Sequence, residues 1–210
     1  MAKIIGLTGM YCAGKNRIAA LLEERGLPAL DVDKLGHQAI EAAKEAIVRR
    51  FGPEVLAPEG KDRQGLSIDR RRLGEKVFGK PGELADLEAI VHPEANRLTD
   101  EWIKGKNGET CVINAALLHK SSAFEKLDFI IIVQAPFFDR LRRARQRDHL
   151  PWAALLKRFG SQREFMSQYL NGNADTYRVD NRGYSKTLSR RLKRKLEDRI
   201  DAILSGEGIR

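Results

Sequence analysis

The stretch Gly9-Met10-Tyr11-Cys12-Ala13-Gly14-Lys15 decides the fold, because it fits the pattern G-x-x-x-x-G-K of a phosphate-binding loop, or P-loop. It stands between Lys3–Thr8, a short apolar stretch that predicts a strand, and a helical pattern that begins at Lys15. In such a turn the glycines let the backbone wrap an anion, and successive N–H groups and the helix N-terminus face it. We therefore expect Gly9 to Gly14 to bind nucleotide phosphates, rather than to be an ordinary strand–helix turn that matches by chance. Lys15 would place a positive charge near the transferred phosphoryl group.

The eighth position of this loop departs from the motif. A P-loop normally continues with Ser or Thr, whose hydroxyl binds Mg²⁺, but this chain has Asn16, followed by Arg17. The amide oxygen of Asn16 is a hard donor that could bind Mg²⁺ directly or through a water molecule. We expect Asn16 and Arg17, together with Tyr11, Cys12 and Ala13, to contact the nucleotide, and Asn16 is the candidate metal ligand.

Cys12 brings a thiol into the loop. It lies near a helix N-terminus, where thiol pKa values fall. It is either a reactive thiol shielded by bound nucleotide or, as we favour, a residue that only fills a variable loop position. With Cys111 the chain has two cysteines, too few for a disulfide scaffold or a cysteine-only zinc site. A reducing cytoplasm is the expected location, and the first residues show no secretory signal pattern.

Two carboxylates, Asp31 and Asp33, follow a short second strand predicted at 28–30. In an open α/β sheet, ligands bind at the carboxyl ends of the strands. Residues two apart on an extended segment point the same way, so both carboxylates could face the cleft beside the P-loop. There a carboxylate could accept a proton from an acceptor hydroxyl or hold a Mg²⁺-bound water. The alternative is that Asp31 caps the following helix and Asp33 is solvated.

The rest of the chain alternates strands with helices, which predicts an α/β fold with a mainly parallel five-stranded sheet. Residues 34–104 are mostly helical in pattern and form an insert beside that sheet. The further predicted strands are Thr110–Asn114, Phe129–Gln134 and Tyr177–Asp180. The predicted amphipathic helices are Ile68–Phe78, Glu83–Ile103 with an interruption at His92-Pro93, and a C-terminal helix with an apolar stripe at Leu188, Leu192, Leu196 and Ile200.

Charge is distributed unevenly along the 210 residues. Residues 1–135 hold 20 basic and 20 acidic residues, whereas residues 136–210 hold 18 and 9, so the whole net charge of +9 lies in the last third. Such a basic region predicts an anionic partner. The longest apolar run, Phe129–Val133, is far shorter than the roughly 20 residues that span a bilayer, so we expect no membrane partner.

Beyond the loop, the sequence resembles the dephospho-CoA kinase family over nearly the whole chain, in segments that follow the family's order. These segments are Ile5-Gly6-Leu7-Thr8-Gly9 with Gly14-Lys15, Asp31-Val32-Asp33, Phe51–Leu56, Asp69-Arg70-Arg71, Leu73–Phe78, Leu87–Pro93, Val133–Pro136, Arg143, Arg147-Asp148, Arg158, Gln162, Ala174-Asp175 and Val179-Asp180-Asn181. The middle segments are more discriminating than the P-loop, which many kinases share.

The resemblance implies a P-loop kinase core of the nucleoside-monophosphate-kinase type, formed by residues 1–33, 105–136 and 170–210. The insert, 34–104, would bind the CoA moiety, and a basic helical lid would occupy 137–169. The reaction would transfer a phosphoryl group from ATP to the ribose 3′-hydroxyl of dephospho-CoA, giving CoA and ADP, with Mg²⁺ held by a ligand set that the sequence leaves open.

The resemblance also implies roles for single residues. Asp33 would be the base that acts on the acceptor hydroxyl, and Lys15 with the loop N–H groups would hold the ATP phosphates. Arg143 and Arg147 would come from the lid, and Asn181 would lie near the adenine. Independently of the resemblance, Arg140, Arg143 and Arg147 are spaced to share one helix face, from which a mobile lid could close on the phosphate.

The acceptor substrate would contact residues of the core and of the insert. Thr8, Asp31 and Asp33 are the candidates beside the P-loop. His92 would lie either near the substrate or in the packing of the insert.

Two further positions depart from the family pattern. Asn114 stands where the family has a carboxylate at a strand end, and Lys120 reverses a charge. With Asn16, two positions that could organise Mg²⁺ are therefore neutral amides. Either Asp31 and Asp33 take more of the metal's charge, or the protein binds nucleotide and catalyses poorly.

Two other functions remain open. One is a kinase for another nucleotide acceptor. The other is a basic nucleic-acid-binding protein that uses Arg140–Arg147 and Arg190–Lys195, but aromatic residues do not interleave with these runs. We expect a kinase that binds ATP and dephospho-CoA, has no nucleic-acid partner, and is a monomer or a weak homo-oligomer.

Overall fold

The computed structural model describes residues 2–57, 67–160, 165, 169, 174–183 and 186–209, with the backbone alone at 186–189. The chain divides into two compact units. The first combines the residues up to Leu30 with those from Lys106 onward, and the second is Asp31–Gly105.

A five-stranded sheet forms the centre of the first unit. Its strands are β1 Ile4–Gly9, β2 Ala29–Asp31, β3 Cys111–Asn114, β4 Phe129–Gln134 and β5 Asp175–Asp180. They are arranged in the order β2-β3-β1-β4-β5, and β1 pairs in parallel with both β3 and β4. β4 is buried from Phe129 to Val133, as expected for a parallel strand covered on both faces. The predicted α/β fold with a parallel five-stranded sheet is confirmed.

The described helices precede, follow and connect the strands, and four of them lie in succession between β2 and β3. They are α1 Lys15–Glu23, α2 Val32–Ala42, α3 Lys44–Phe51, α4 Arg70–Val77, α5 Pro81–Lys104, α6 Phe137–Asp148, α7 Trp152–Gly160 and α8 Lys186–Gly206, with short 3₁₀ turns at Pro53–Val55, Leu118–Lys120 and Phe124–Lys126. None of the described helices is long and apolar enough to cross a membrane.

The core of the first unit lies between the sheet and helices α1 and α8. Ile18 and Leu22 of α1 and Leu196 and Ile200 of α8 are buried in one cluster with residues of β1 and β4. This confirms the apolar stripe that was predicted for the C-terminal helix at these two α8 positions. The side chain of Leu188 lies outside the described part.

The second unit has its own core. Ile47 and Phe51 of α3 pack there with Leu73 and Val77 of α4, and α5 adds Leu87, Ile90 and Val91 along one face. Asp69 caps α4 by accepting hydrogen bonds from the N–H groups of Arg71 and Arg72. The helix therefore begins at Arg70, two residues later than predicted.

The predicted interruption at His92-Pro93 is wrong, because α5 continues from Pro81 to Lys104 with Pro93 inside it. A proline removes one helical N–H donor. Here the residues before it pack their apolar side chains on the core of the unit, which favours the continued helix. The last strand also starts earlier than predicted, at Asp175, because its pairing with β4 extends over residues that alternate in polarity.

Candidate active site

The loop between β1 and α1 has the geometry that the sequence predicts. Gly9 ends β1 beside β4, where an added Cβ would lie 2.9 Å from the carbonyl oxygen of Val133. Gly14 is the N-cap of α1 with φ +93°, and Cys12 has φ +58°. Such left-handed conformations turn successive peptide N–H groups toward one side of a loop. Lys15 is the first residue of α1.

Asn181 and Arg143 hold this loop by its carbonyl oxygens. The side chain of Asn181, 2% exposed, donates from Nδ2 to the Ala13 oxygen at 2.8 Å and accepts from Nη1 of Arg17 at 3.1 Å. Arg143 of α6 donates to the oxygens of Ala13 at 2.9 Å, Cys12 at 3.3 Å and Asn181 at 2.8 Å. The structure therefore brings Arg143, Arg17 and Asn181, all predicted site residues, to the loop.

Tyr11 links the loop to the ends of α6 and α7. Its hydroxyl donates to Oδ2 of Asp148, and Arg158 of α7 lies 3.3 Å from the same oxygen. Arg147 binds Asp148 with Nε at 2.7 Å from Oδ1 and Nη2 at 3.3 Å from Oδ2. The Arg147 hydrogen bond, reinforced by the Tyr11 hydroxyl, lowers the pKa of Asp148 to about 2. Asp148 is therefore ionised at every pH near neutrality.

Arg140 lies on the same helix as Arg143 and Arg147 but is buried against α7. It is 8% exposed, and its guanidinium lies 5.0 Å from the ring centroid of Phe159. Burial lowers its pKa, and among the described residues its Nε has no hydrogen-bond partner. Arg140 packs α6 against α7. Helical spacing in the sequence could not distinguish this packing role from a contact with phosphate.

The thiol of Cys12 is half-buried. Burial raises its pKa, and this effect outweighs the opposing charges of Arg147 and Arg143. The expectation of a lowered thiol pKa at the helix N-terminus is therefore wrong. The neutral thiol packs with Tyr11 at the edge of the cluster formed by Ala144, Leu155 and Phe159.

The two amides that depart from the family pattern contact each other. Asn114 ends β3, pairs in register with Leu7 of β1 and is 2% exposed. Its Nδ2 donates to Oδ1 of Asn16 at 3.3 Å, and its own Oδ1 is buried without a hydrogen-bond partner among the described residues. A buried oxygen with no donor is free to accept from a ligand-bound water, so this donor set fits a hard cation such as Mg²⁺.

Thr8 lies on β1 next to this pair. Its side chain is fully buried and its hydroxyl donates to the Ala116 carbonyl at 3.4 Å. The hydroxyl of Thr8 is thus bound within the unit, and its predicted contact with the substrate stays a prediction.

Asp31 and Asp33 are the first acidic residues of the second unit. Asp31 is the N-cap of α2, and its Oδ1 accepts from the Lys34 N–H at 3.2 Å. Because α2 begins at Val32, Asp33 lies in the first helical turn. The prediction that both share an extended segment and point the same way is wrong, since helical residues two apart do not face each other. The capping alternative is confirmed for Asp31.

His92 lies half-buried on α5. No group of three or more His, Cys, Asp or Glu side chains that could hold a metal occurs within the described ranges. Sequence reasoning missed Asp148 as the partner of Tyr11. The signal available to it was the adjacent pair Arg147-Asp148 at the end of a basic helix.

Comparisons with known proteins agree on one family. The sequence model of dephospho-CoA kinase matches residues 3–184. Dephospho-CoA kinase from Treponema pallidum is 32% identical over 98% of this chain and 96% of its own length. A crystal structure of a Thermus thermophilus protein, 32% identical, superposes with a TM-score of 0.70 over 94% of this chain and 97% of the other. Dephospho-CoA kinase from Campylobacter jejuni, 22% identical, shares the fold with a TM-score of 0.61 over 94% and 97% of the two chains.

Proposed function

Because the chain belongs to the dephospho-CoA kinase family, we propose specific roles for its site residues in that family's reaction. The protein is a kinase that phosphorylates dephospho-CoA at the expense of ATP, a step in coenzyme A biosynthesis. The observation that carries the proposal is the loop from Gly9 to Gly14, held from its carbonyl side by Arg143 and Asn181. A loop fixed in this way offers its N–H groups to phosphates without having to reorganise.

The loop and Lys15 hold the phosphates of ATP. Lys15 begins α1, where the positive end of the helix dipole also favours an anion. Phosphoryl transfer needs little covalent help from the protein, so positioning and charge neutralisation supply most of the catalysis. Arg143 contributes to catalysis by holding the loop through the carbonyl oxygens that it binds. Arg147, which lies beside Tyr11, would contact the transferring phosphoryl group. Asn181, whose side chain is bound to the Ala13 carbonyl, would lie near the adenine.

Asp33 acts on the ribose 3′-hydroxyl of the acceptor. The support is its place at the start of α2 in the segment Asp31-Val32-Asp33 that resembles the family. A carboxylate that accepts the hydroxyl proton raises the nucleophilicity of the attacking oxygen. Asp31, engaged as a helix cap, would fix the direction of that first turn.

The second unit, with His92 on α5, would bind the CoA moiety, and the helices α6 and α7 would form the lid. Parts of the proposed lid between 161 and 169 lie outside the described residues.

Asn16 and Asn114 would hold Mg²⁺ when it arrives with ATP. Held there, the metal would neutralise negative charge on the phosphates. The residues fit this role through amide oxygens, which are hard donors, although they bring no negative charge. Asn114 Oδ1, buried and without a donor among the described residues, would accept from a metal-bound water.

The free cysteines bear on the cellular location of the protein. Cys12 and Cys111 are both free thiols, which fits the reducing cytoplasm. A monomer or a weak homo-oligomer without a nucleic-acid partner stays a prediction.

The proposal is tested by following ADP release from purified protein with ATP, Mg²⁺ and dephospho-CoA. AMP and adenosine serve as control acceptors. We expect turnover with dephospho-CoA alone, 3′-phosphorylated product by mass spectrometry, and loss of turnover in Lys15→Ala but not in Lys104→Ala, which removes an exposed lysine of the second unit. Turnover of AMP at a similar rate would assign a different acceptor. Near-normal activity of Lys15→Ala would refute the role of the loop.

A further inference from the structure

Four side chains form a closed cluster between the phosphate-binding loop and the helices α6 and α7. Arg147 and Arg158 both bind the carboxylate of Asp148, and the hydroxyl of Tyr11 donates to the same carboxylate. The two guanidinium groups also lie over the ring of Tyr11, with 5.2 Å from Arg147 and 5.9 Å from Arg158 to the ring centroid. Tyr11 is thus the one loop residue that touches every other member of this cluster.

The two guanidinium groups of the cluster share one carboxylate, that of Asp148. Two like charges held this close repel each other. The carboxylate and the π face of the tyrosine offset that repulsion, because an aromatic face attracts a cation within about 6 Å. The ring of Tyr11 is itself fixed edge-on against Phe159 of α7, with 5.3 Å between ring centroids.

We propose that Tyr11 is a positioning residue that places Arg147 and Arg158 for phosphoryl transfer. Its ring and hydroxyl hold both guanidinium groups, through Asp148, against the phosphate-binding loop before nucleotide binds. The inference rests on the proposed kinase function, because it assigns the two guanidinium groups to the transferring phosphoryl group. Long arginine side chains lose much conformational freedom when they are ordered, so ordering them in advance strengthens their contact with the transition state.

The ring and the hydroxyl of Tyr11 make separate contributions to holding the two guanidinium groups. Tyr11→Phe keeps the ring under the guanidinium groups and removes the hydroxyl donor to Asp148. Tyr11→Leu removes both. Tyr177→Phe is the matched control, because Tyr177 also donates its hydroxyl to a carboxylate, that of Glu207, and also packs edge-on against a phenylalanine, Phe129.

Chemical modification of the arginines tests the positioning without any need for turnover. Phenylglyoxal would be added to the nucleotide-free protein, and the modification rates of Arg147 and Arg158 would be read by peptide mass spectrometry. We expect both rates to rise about threefold or more in Tyr11→Leu and less in Tyr11→Phe, because an arginine that is no longer covered by the ring is more accessible. Tyr177→Phe should leave them unchanged. Equal rates in wild type and Tyr11→Leu would overturn the proposal.

Kinetics then separate positioning from mere support of the loop. Tyr11→Leu should lower kcat about tenfold while the Kd for ADP changes less than about twofold, because ADP lacks the transferred phosphoryl group. A parallel loss of ADP affinity would show that Tyr11 only maintains the loop, and would overturn the proposal. If wild type failed to phosphorylate dephospho-CoA while the modification rates still followed Tyr11, the positioning would stand and the proposed function alone would fall.

Discussion

Replacing Gly14 by alanine should destabilise the protein by about 1–2.5 kcal/mol, through two effects that can be measured apart. Gly14 has φ +93°, in the left-handed region, and an added Cβ would overlap Nδ2 of Asn181. That nitrogen donates to the carbonyl of Ala13 at 2.8 Å. The substitution therefore strains the backbone and displaces the amide that holds the loop.

The magnitude follows from these two effects. A left-handed conformation costs a residue with a Cβ about 1–2 kcal/mol. Losing a hydrogen bond such as that from Asn181 to Ala13 costs about 1 kcal/mol. Alanine also restricts the unfolded chain, which stabilises the protein by about 0.4–1 kcal/mol, but this gain accompanies every Gly→Ala change and cancels against a glycine control.

Gly26 provides that control. It has φ +78°, and an added Cβ would have nothing within 4 Å. Gly26→Ala therefore carries the backbone cost without the overlap. The free energy of unfolding would be measured by urea denaturation with far-UV circular dichroism for Gly14→Ala, Gly26→Ala, Asn181→Ala and the double variant Gly14→Ala/Asn181→Ala. Titration with a fluorescent ADP analogue would report the loop itself.

We expect Gly14→Ala to be more destabilising than Gly26→Ala by about 1 kcal/mol, and to lose ADP affinity where Gly26→Ala does not. In the Asn181→Ala background the added Cβ no longer overlaps the side chain at position 181. Gly14→Ala should then lower the free energy of unfolding by no more than Gly26→Ala does. Equal costs for Gly14→Ala in both backgrounds would refute the reasoning, because the clash with Asn181 would then contribute nothing.

Three further substitutions and one labelling experiment test the site. Asp33→Asn should lower kcat far more than ATP affinity if the carboxylate acts on the acceptor; an equal loss of both would indicate a metal role instead. Asn114→Asp adds a charge beside the P-loop and should strengthen the Mg²⁺ dependence of nucleotide binding about tenfold, measured by ADP titration with and without chelator; an unchanged dependence would place this position away from the metal. ATP should slow the alkylation of Cys12, and because burial raises the pKa of this thiol, the rate without ATP should still be rising at pH values above those of an ordinary cysteine. The hydrogen bond from Arg147 lowers the pKa of Asp148 to about 2. The ionised carboxylate therefore stabilises the protein fully above the pKa of about 3.9 that the carboxyl has in the unfolded chain, and this stabilisation is lost as the pH falls toward 2. In Asp148→Asn, the loss of stability on the acid side, measured by urea titration, should be smaller.

The sequence determined the elements whose signals are local. The glycine spacing and Lys15 identified the loop, because a turn that exposes backbone N–H groups needs glycine at fixed offsets. Phe129–Gln134 was predicted with its observed bounds, because a short run rich in β-branched apolar residues is typical of a parallel strand buried on both faces. The family resemblance through the insert then identified the acceptor, which the loop could not.

Local patterns misled where two local rules compete. Asp31-Val32-Asp33 can extend a strand or begin a helix, and the cap at Asp31 decides for the helix. Pro93 predicts a break, but the apolar face of α5 packs on its unit and the helix continues. Nearness to a helix N-terminus lowers a thiol pKa and burial raises it, and for Cys12 burial is the larger effect.

Only the tertiary structure decided which side chains act together at the loop. Tyr11 and Asp148 are 137 residues apart in the chain, and Asn181 binds the Ala13 carbonyl across 168 residues. Asn16 and Asn114, two separate departures in the sequence, become a hydrogen-bonded pair because β3 runs beside β1. Spacing along the chain carries no information about such pairs, since parallel strands bring their carboxyl ends together regardless of how many residues connect them. The sequence therefore established the loop and the family, and the fold established what holds the loop in place.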